Sequence, residues 1–315
     1  MTRFGEVRVQ PFDPAKVAFG RHETFPLRYA WLPKGYQALA ECSTCFESDS
    51  ATVELGVGKN MVSAIRYWLH ATGMSAPAQR GYDVTPLGRR LLGADGWDPY
   101  LEDEATLWLI HWLLCTTPAI ATTWWWFFNC FHKAEFTSKE ATDALTAFAR
   151  ERTQSRNSVA TLKQDELVLL RMYSPARKTT RTPLEESLDS PMTSLGLMSY
   201  QPEGRRYSST PDARDSLPAA VVAFAPAEVF EASGTNTIRI DELLYSRSNL
   251  AALGSVFRLT ESSFIAHVER VVQALPECFE LRETAGLNQL YLLQAVPPLF
   301  VLSGYYDSDA MGAAA

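Results

Sequence analysis

The sequence has few cysteines and no spacing of them that would form a disulfide framework. Its five cysteines are an odd number spread over 315 residues, whereas disulfide scaffolds are small and dense in cysteine. The first residues, MTRFGEVRVQPFDPAK, contain no apolar run typical of a signal peptide. We therefore expect a soluble protein of the reducing cytoplasm.

The sequence also lacks an uninterrupted apolar run long enough to cross a membrane. The most apolar segment, residues 105–131, contains many tryptophans, but Pro118 and several threonines interrupt it. A spanning helix needs about 20 consecutive apolar residues. The segment therefore predicts one or two buried core helices with a break near Pro118, and no association with a membrane.

An excess of basic residues is missing as well. The chain has 29 lysines and arginines against 36 aspartates and glutamates, which gives a formal net charge of −7. A protein that coats nucleic acid without specificity is usually basic overall. Any contact with DNA must therefore come from local basic patches, and it is expected to be sensitive to salt.

The length and the hydrophobic pattern indicate a modular, mainly α protein. A chain of 315 residues that is 46% hydrophobic suits two or three modules with a sizeable core. We predict winged-helix-like modules with short β-hairpins that flank a helical, tryptophan-rich middle. The predicted boundaries are 1–95 for an N-terminal DNA-reading module, 96–200 for the middle and 201–315 for a C-terminal winged-helix-like module.

Residues 58–72 form the clearest predicted helix of the N-terminal module. Apolar side chains recur there at helical spacing, at Met61, Ile65, Trp68 and Leu69. Gly73 ends the helix, and an extended stretch, YDVTPLG, follows. A helix, a short loop and an extended stretch in this order are typical of a recognition helix and the wing of a winged helix.

Two other segments complete the predicted modules. Residues 25–39 also have helical spacing, but Pro33 and Gly35 predict a break or kink there. In the C-terminal part, residues 238–245 and 261–275 are predicted helices, and a hairpin follows them. Two helices and a hairpin are the parts of a second winged-helix-like module.

Basic and amide side chains open the predicted recognition helix. Lys59 and Asn60 stand where helix-turn-helix proteins reach base edges, and a helix N-terminus also favours phosphate. Arg66, two turns later, is placed to hold a phosphate. We expect these three residues, with Arg89 and Arg90 of the predicted wing, to contact double-stranded DNA. An ordinary solvated helix face is the alternative interpretation.

The most basic stretch of the chain lies in the middle region. It ends in a loop that contains Arg177, Lys178 and Arg181. These residues are a second predicted surface for the DNA backbone. A solvated charged face explains the same pattern equally well.

A dense cluster of polar side chains precedes residue 25. Arg21, His22 and Glu23 supply an anion-binding group, a proton carrier and a carboxylate, and they are the predicted catalytic set. A divalent metal, Mg²⁺ or Mn²⁺, is the cofactor that such chemistry would use. Adjacent residues need not converge, so the alternative is a helix start that His22 or Thr24 caps.

Two further patterns in the sequence have a structural explanation and do not predict a metal site or a catalytic site. Cys42 and Cys45 have the C-x-x-C spacing, but a structural zinc ion needs four ligands and no second pair lies nearby. The acidic run from Asp95 to Glu104 has no accompanying nuclease motif. Favourable charge at the N-terminus of the following helix is its simpler explanation.

Several stretches of the chain together resemble one prokaryotic family. They are FGRHETFPLRYAWLPKGYQAL, LGVGKNMVSAIRYWLHATG, TPLGRRLLG, GWDPYLEDEATLWLIHWLL, LDSPMTSLGL, FRLTESSFIAHVERVV and LRETAGLNQLY. On these motifs the chain resembles, over nearly its whole length, the SspB-like family of DNA phosphorothioation-associated proteins. This family is encoded beside sulfur-transfer enzymes.

The resemblance implies a function but no catalytic residues. It implies the DNA-nicking component of a phosphorothioation and anti-phage defence system, whose partners are a cysteine desulfurase and ATP-dependent sulfur-transfer proteins. A homodimer is a further possible assembly. The alternatives are a non-enzymatic winged-helix adaptor that positions DNA for those enzymes, and a protein-interaction scaffold. Ser190 departs from the family, where a cysteine is expected, which weakens a thiol or metal role for its loop.

Overall fold

The computed structural model describes residues 9–175, 190–245, 249–284 and 287–312. Over these ranges the chain is mainly helical and carries three small antiparallel sheets, which confirms the predicted mainly α class with short hairpins. No helix within the described ranges has both the length and the apolar character needed to cross a bilayer. Arg177, Lys178 and Arg181 lie outside the described residues.

Three helices and a hairpin form the N-terminal part, in the predicted order. Their bounds are Trp31–Glu41 (α1), Ala51–Glu54 (α2), Lys59–Ala71 (α3), Ser75–Pro77 (β1) and Tyr82–Val84 (β2), and the helix Pro86–Leu92 (α4) follows. Strands β1 and β2 pair antiparallel. The apolar face of α3 is buried against α1, as its spacing predicts.

The predicted wing is shorter than expected. Thr85 caps α4, because its hydroxyl accepts a hydrogen bond from the Gly88 N–H at 2.9 Å, and Pro86 occupies the first helical position. The extended stretch therefore ends at Val84. Arg89 and Arg90 lie on a short helix behind the hairpin, and not on the wing.

Helix α1 runs without the predicted break. Pro33 lies in its first turn, where a missing N–H removes no intrahelical bond. Gly35 lies where α1 crosses α3, and a Cβ at this position would be 2.5 Å from Cγ2 of Ile65. The two residues that predict a break instead permit the helix start and the close packing of two helices.

Two buried helices form the centre of the molecule. Glu104–Thr116 (α5) and Thr122–Cys130 (α6) confirm the predicted core helices and the break near Pro118. The acidic run before α5 supplies its N-terminal hydrogen bonds. The Asp103 carboxylate accepts from the Ala105 N–H at 2.8 Å, as expected for charge at a helix start.

The C-terminal end of α6 is completed by residues from far along the chain. The Arg258 guanidinium donates to the carbonyls of Phe127 at 3.0 Å and Phe131 at 2.9 Å. The Oδ1 of Asn129 accepts from the Ala252 N–H at 3.0 Å. Carbonyls that a helix end leaves unpaired are therefore satisfied by the C-terminal third of the chain.

Two long helices and a small sheet surround this centre. The helices Ser138–Arg152 (α7) and Val159–Tyr173 (α8) pack on each other, and α8 also packs on α6. A three-stranded sheet has the strands Glu135–Phe136 (β3), Ser199–Gln201 (β4) and Arg206–Ser208 (β5) in the order β3-β5-β4.

In the C-terminal part, a group of helices is again followed by a hairpin. The elements are Ala219–Ser233 (α9), Thr237–Arg239 (β6), Ile240–Leu244 (α10), Leu253–Val256 (α11), Glu261–Ala274 (α12), Phe279–Thr284 (β7) and Leu287–Leu292 (β8). The sheet order is β6-β8-β7. The predicted helix over 261–275 and the hairpin are confirmed, but the one over 238–245 is wrong at its start, because β6 pairs there with β8.

A last helix, Pro298–Gly312 (α13), joins the two ends of the molecule. It packs on α9, and its Tyr306 ring stacks on Trp97 at 5.0 Å between ring centroids. The Trp97 indole N–H donates to Asp307 at 3.0 Å. The N-terminal part, which carries the candidate site, is thereby held against the C-terminal part.

Candidate functional site

The predicted catalytic residues lie on a tight turn ahead of α1. Glu23 and Thr24 have φ angles of 51° and 65°. Left-handed backbone at residues other than glycine costs about 1–3 kcal/mol each and persists only where the surroundings impose it. The alternative interpretation of this segment as a helix start is wrong, because residues 21–24 form a turn.

A buried carboxylate on α8 imposes this conformation. The Oδ1 of Asp165 accepts from the Gly20 N–H at 2.7 Å and from Nε2 of His22 at 2.9 Å. The Thr24 N–H donates to Nδ1 of His22 at 3.1 Å. Since Nδ1 accepts, the proton of the neutral ring is on Nε2, where it bonds to Asp165. Both nitrogens of His22 are therefore used within the turn.

The turn separates the predicted catalytic set into a buried and an exposed part. His22 is only 1% exposed and packs among the rings of Tyr67, Trp68 and Trp124. Arg21 and Glu23 are exposed and line a cleft. His22 anchors the turn, and its two neighbours reach the surface.

The cleft lies between this turn and α3 and has a volume of about 390 Å³. Its polar lining consists of Arg21, Glu23, Ser63, Arg66, Tyr67, His70 and Tyr82. Residues three, four and seven positions apart share one helix face, so Ser63, Arg66 and His70 form a polar stripe along α3. Lys59 continues the stripe at the start of the helix and is exposed.

Positive charge in and beside the cleft is not neutralised within the described part of the chain. There, the side chains of Arg21, Arg66 and Lys59 form no ion pair or hydrogen bond. The lining contains two arginines against the one carboxylate of Glu23. A mainly polar cleft with unpaired guanidinium groups is suited to an anion such as a phosphate.

His70 is a cleft residue that sequence reasoning did not select. Its Nδ1 lies 3.2 Å from the carbonyl oxygen of Ser75, and its ring meets the Tyr82 ring edge to face at 5.7 Å between centroids. Burial lowers the pKa of His70, which favours the neutral ring. Its position four residues after Arg66 was the available indication, because such residues lie on the same helix face.

The remaining predicted DNA contacts lie on other surfaces. Asn60 is exposed in the first turn of α3. Arg89 and Arg90 line a second cavity, of about 580 Å³, between the β1–β2 hairpin and Leu299 at the start of α13. The Arg90 guanidinium also lies 5.6 Å from the centre of the Trp97 ring. The cleft beside α3 therefore contains Arg66 but neither residue of α4.

The described residues do not assemble a metal site. Within them, no group of three or more histidine, cysteine or acidic side chains is placed to hold a metal ion. A magnesium site built by a protein requires oxygen ligands in octahedral geometry, and Glu23 is the sole carboxylate among the residues that line the cleft. These residues do not fit a metal held by the protein alone.

The surroundings of Cys42, Cys45 and Ser190 indicate structural roles for these residues. Burial raises the pKa of the Cys45 thiol to about 11, which disfavours the thiolate that binds metals. Cys42 is exposed, and both thiols are free. Ser190 is buried, and its hydroxyl accepts from the Met192 N–H at 3.4 Å where a 3₁₀ turn begins.

Comparison with known proteins identifies relatives along almost the whole chain. A family model described as "Protein of unknown function (DUF4007)" matches residues 19–306. Two similar solved structures are described as "SspB crystal structure" and "Magnesium ion-bound SspB crystal structure". Each is 31% identical, with 93% of this chain and 89% of that chain covered and a TM-score of 0.82. No curated protein matches the chain.

Proposed function

The chain belongs to the DUF4007 family and is SspB-like, and on this basis we propose that it is the DNA-nicking component of a DNA phosphorothioation and anti-phage defence system. Its proposed partners are double-stranded DNA, a cysteine desulfurase and ATP-dependent sulfur-transfer proteins. The observation that carries the proposal is the cleft beside α3. It brings two of the predicted catalytic residues, Arg21 and Glu23, together with Arg66 of the predicted recognition helix.

The order of elements supports two winged-helix modules. Helices α1 to α3 precede the β1–β2 hairpin, and α9 to α12 with the intervening strand β6 precede β7–β8. The β6-β8-β7 order joins the early strand to the hairpin. In this assignment, α3 and α12 hold the position of a recognition helix, and the hairpins are the wings.

Unpaired charge favours the N-terminal module as the one that binds DNA. Lys59 and Arg66 on α3 are free to meet phosphates. In the part of the C-terminal module formed by α9 to α12 and β6 to β8, Arg239 forms an ion pair with Asp241 and Arg282 with Glu280, and Arg270 on α12 donates a hydrogen bond to His267. Phosphate neutralisation supplies most of the affinity for DNA, so we infer that Lys59 and Arg66 of α3 contribute more to it than the paired Arg239 and Arg282 of the C-terminal module.

Nicking requires the hydrolysis of one phosphodiester bond. Cations placed against the phosphoryl oxygens stabilise the charge of the transition state. Arg21 and Arg66 are placed to hold the scissile phosphate, and Glu23 lies beside it to orient water. His22 positions the turn that carries Arg21 and Glu23. No step is assigned to a metal, because the lining does not form a metal site.

Conversion of supercoiled plasmid to open circle tests this proposal. The purified protein is assayed with Mg²⁺, with Mn²⁺ and with chelator, beside the variants Arg21→Ala and Glu23→Gln. Matched controls are Arg270→Ala and Glu269→Gln on α12. Nicking that is lost in the first pair and kept in the controls supports the assignment. Equal nicking in all four variants would remove Arg21 and Glu23 from the site.

A second candidate function is a non-enzymatic winged-helix adaptor that positions DNA for the sulfur-transfer enzymes. The lack of a metal-binding group among the described residues favours it, as does the engagement of both His22 nitrogens. The adaptor binds DNA in a salt-sensitive manner, binds more weakly as Lys59→Ala, and produces no open circle with either metal.

A further inference from the structure

His70 lines the cleft, and one of its ring nitrogens is left with a free lone pair. The Ser75 carbonyl, 3.2 Å from Nδ1, is only an acceptor, so the ring proton is on Nδ1. In the neutral ring Nε2 then carries the lone pair. No bond to Nε2 is present among the described residues. His22 differs in this respect, because its two nitrogens bond to Asp165 and Thr24.

The surroundings of His70 keep the ring neutral and oriented. The Tyr82 ring packs against it from β2, and the guanidinium groups of Arg21 and Arg66 line the same cleft. Burial lowers the pKa of His70 and so disfavours the imidazolium form, and the hydrogen bond to the Ser75 carbonyl opposes this effect in part. Glu23 is the one carboxylate among the residues that line the cleft. The backbone hydrogen bond at Nδ1 fixes the tautomer.

We propose that His70 is the general base of the nicking reaction, an inference that rests on the proposed function. The oxygen of a water molecule attacks the phosphorus, and Nε2 of His70 takes a proton from that water. The bond between phosphorus and the departing sugar oxygen breaks, and this oxygen takes a proton from solvent. His70 then returns its proton to solvent. Arg21 and Arg66 stabilise the charge on the phosphoryl oxygens.

The variant His70→Asn separates this role from a structural one. The asparagine amide N–H replaces the Nδ1–H that donates to Ser75, but the variant has no basic nitrogen at Nε2. We expect its nicking rate to fall by about 100-fold or more, with DNA affinity and Tm unchanged. His267→Asn is the matched control, because that buried histidine lies on α12 and also bonds to a backbone carbonyl, that of Ala213.

The pH profile and chemical rescue complete the experiment. In the wild type, nicking increases with pH through one ionisation below about 6.5, the ordinary histidine value, and this dependence is absent in His70→Asn. Added imidazole restores nicking to His70→Ala. If His70→Asn does not fold, as judged by its Tm, His70→Gln carries the same expectations.

The outcomes for the histidine and for the function are distinct. Nicking by His70→Asn at the wild-type rate and with the wild-type pH profile overturns the role of His70 and leaves the nicking function in place. A wild-type protein that binds plasmid but never nicks it overturns the nicking function, and the proposed base with it. Rate loss with imidazole rescue supports both.

Discussion

The Nε2 of His22 lies 2.9 Å from the Oδ1 of Asp165, and the two side chains are 1% and 2% exposed. This pair joins a turn near the start of the chain to α8, 143 residues later. Because Arg21 and Glu23 flank His22, the positions of both cleft residues depend on the buried hydrogen bond between His22 and Asp165.

Replacement of Asp165 with alanine is expected to destabilise the protein strongly. The Gly20 N–H, His22 and the Thr123 hydroxyl all lose their acceptor. Each buried donor that is left without an acceptor costs about 1–3 kcal/mol. Urea denaturation measures the free energy of unfolding. Asp143→Ala, which removes an exposed partner of Lys139, is the control and should change it little; equal effects of the two substitutions would contradict the anchoring role.

Lys59→Ala and Arg66→Ala are expected to reduce the salt dependence of DNA binding. Each lysine or arginine that neutralises a phosphate contributes about one to the slope of log affinity against log salt. Each variant should therefore lower the slope by about one, and the double variant by about two. Fluorescence anisotropy of a labelled duplex over a series of salt concentrations measures it. Arg282→Ala, whose arginine is already paired with Glu280, should keep the wild-type slope.

Glu166 is expected to make the protein less stable as the pH rises. The side chain is 1% exposed and its Oε1 has no hydrogen-bond partner, and burial raises its pKa to about 8. Between the unfolded value near 4.3 and this folded value, the native state holds the extra proton. Stability from this group is therefore present at low pH and is lost as the pH increases toward about 8.

The substitution Glu166→Gln isolates this contribution. The glutamine amide mimics the protonated carboxyl of Glu166. The variant should therefore have the same stability as the wild type near the unfolded pKa, at about pH 4, and a higher stability near the folded pKa, at about pH 8. Denaturant midpoints measured across that range provide the comparison. A constant difference between the two proteins over the whole range would argue against a buried, titrating carboxyl.

Two glycines inside helices are expected to respond in opposite directions to alanine. In Gly35→Ala the new Cβ would lie 2.5 Å from Cγ2 of Ile65, and overpacking of this kind costs about 1–3 kcal/mol. In Gly304→Ala the new Cβ meets nothing within 4 Å, and the helix gains about 0.5–1 kcal/mol from the better helix former. Thermal unfolding should show a lower Tm for the first and a higher Tm for the second.

Much of the fold could be predicted because helical periodicity is a local property. The stripe that contains Ile65 and Trp68 defines α3, and the break at Pro118 separates the two core helices. Boundaries were less predictable, because the effect of a proline depends on its place in the helix. Pro33 in the first turn of α1 permits the helix that it was expected to interrupt.

The candidate site could be predicted only in part. Arg21, Glu23 and Arg66 were selected for their chemistry, but no spacing in the sequence brings them into one cleft. The turn owes its shape to Asp165, which is distant in sequence, and Asp165 has no local pattern that marks it. His70 was taken as one more polar residue on a helix face, since its hydrogen bond to Ser75 exists only once the chain has turned into β1.

The way α6 ends has a consequence for the order of events on the ribosome. The carbonyls at its end lack their hydrogen-bond donor until Arg258, 127 residues after Phe131, has been synthesised. At synthesis rates of about 5–20 residues per second, the nascent helix spends roughly 6–25 s without that guanidinium. During this interval the tryptophan-rich segment is an incomplete core with apolar surface exposed. Completion of the centre of the molecule is therefore a late event that follows synthesis of the chain as far as Arg258.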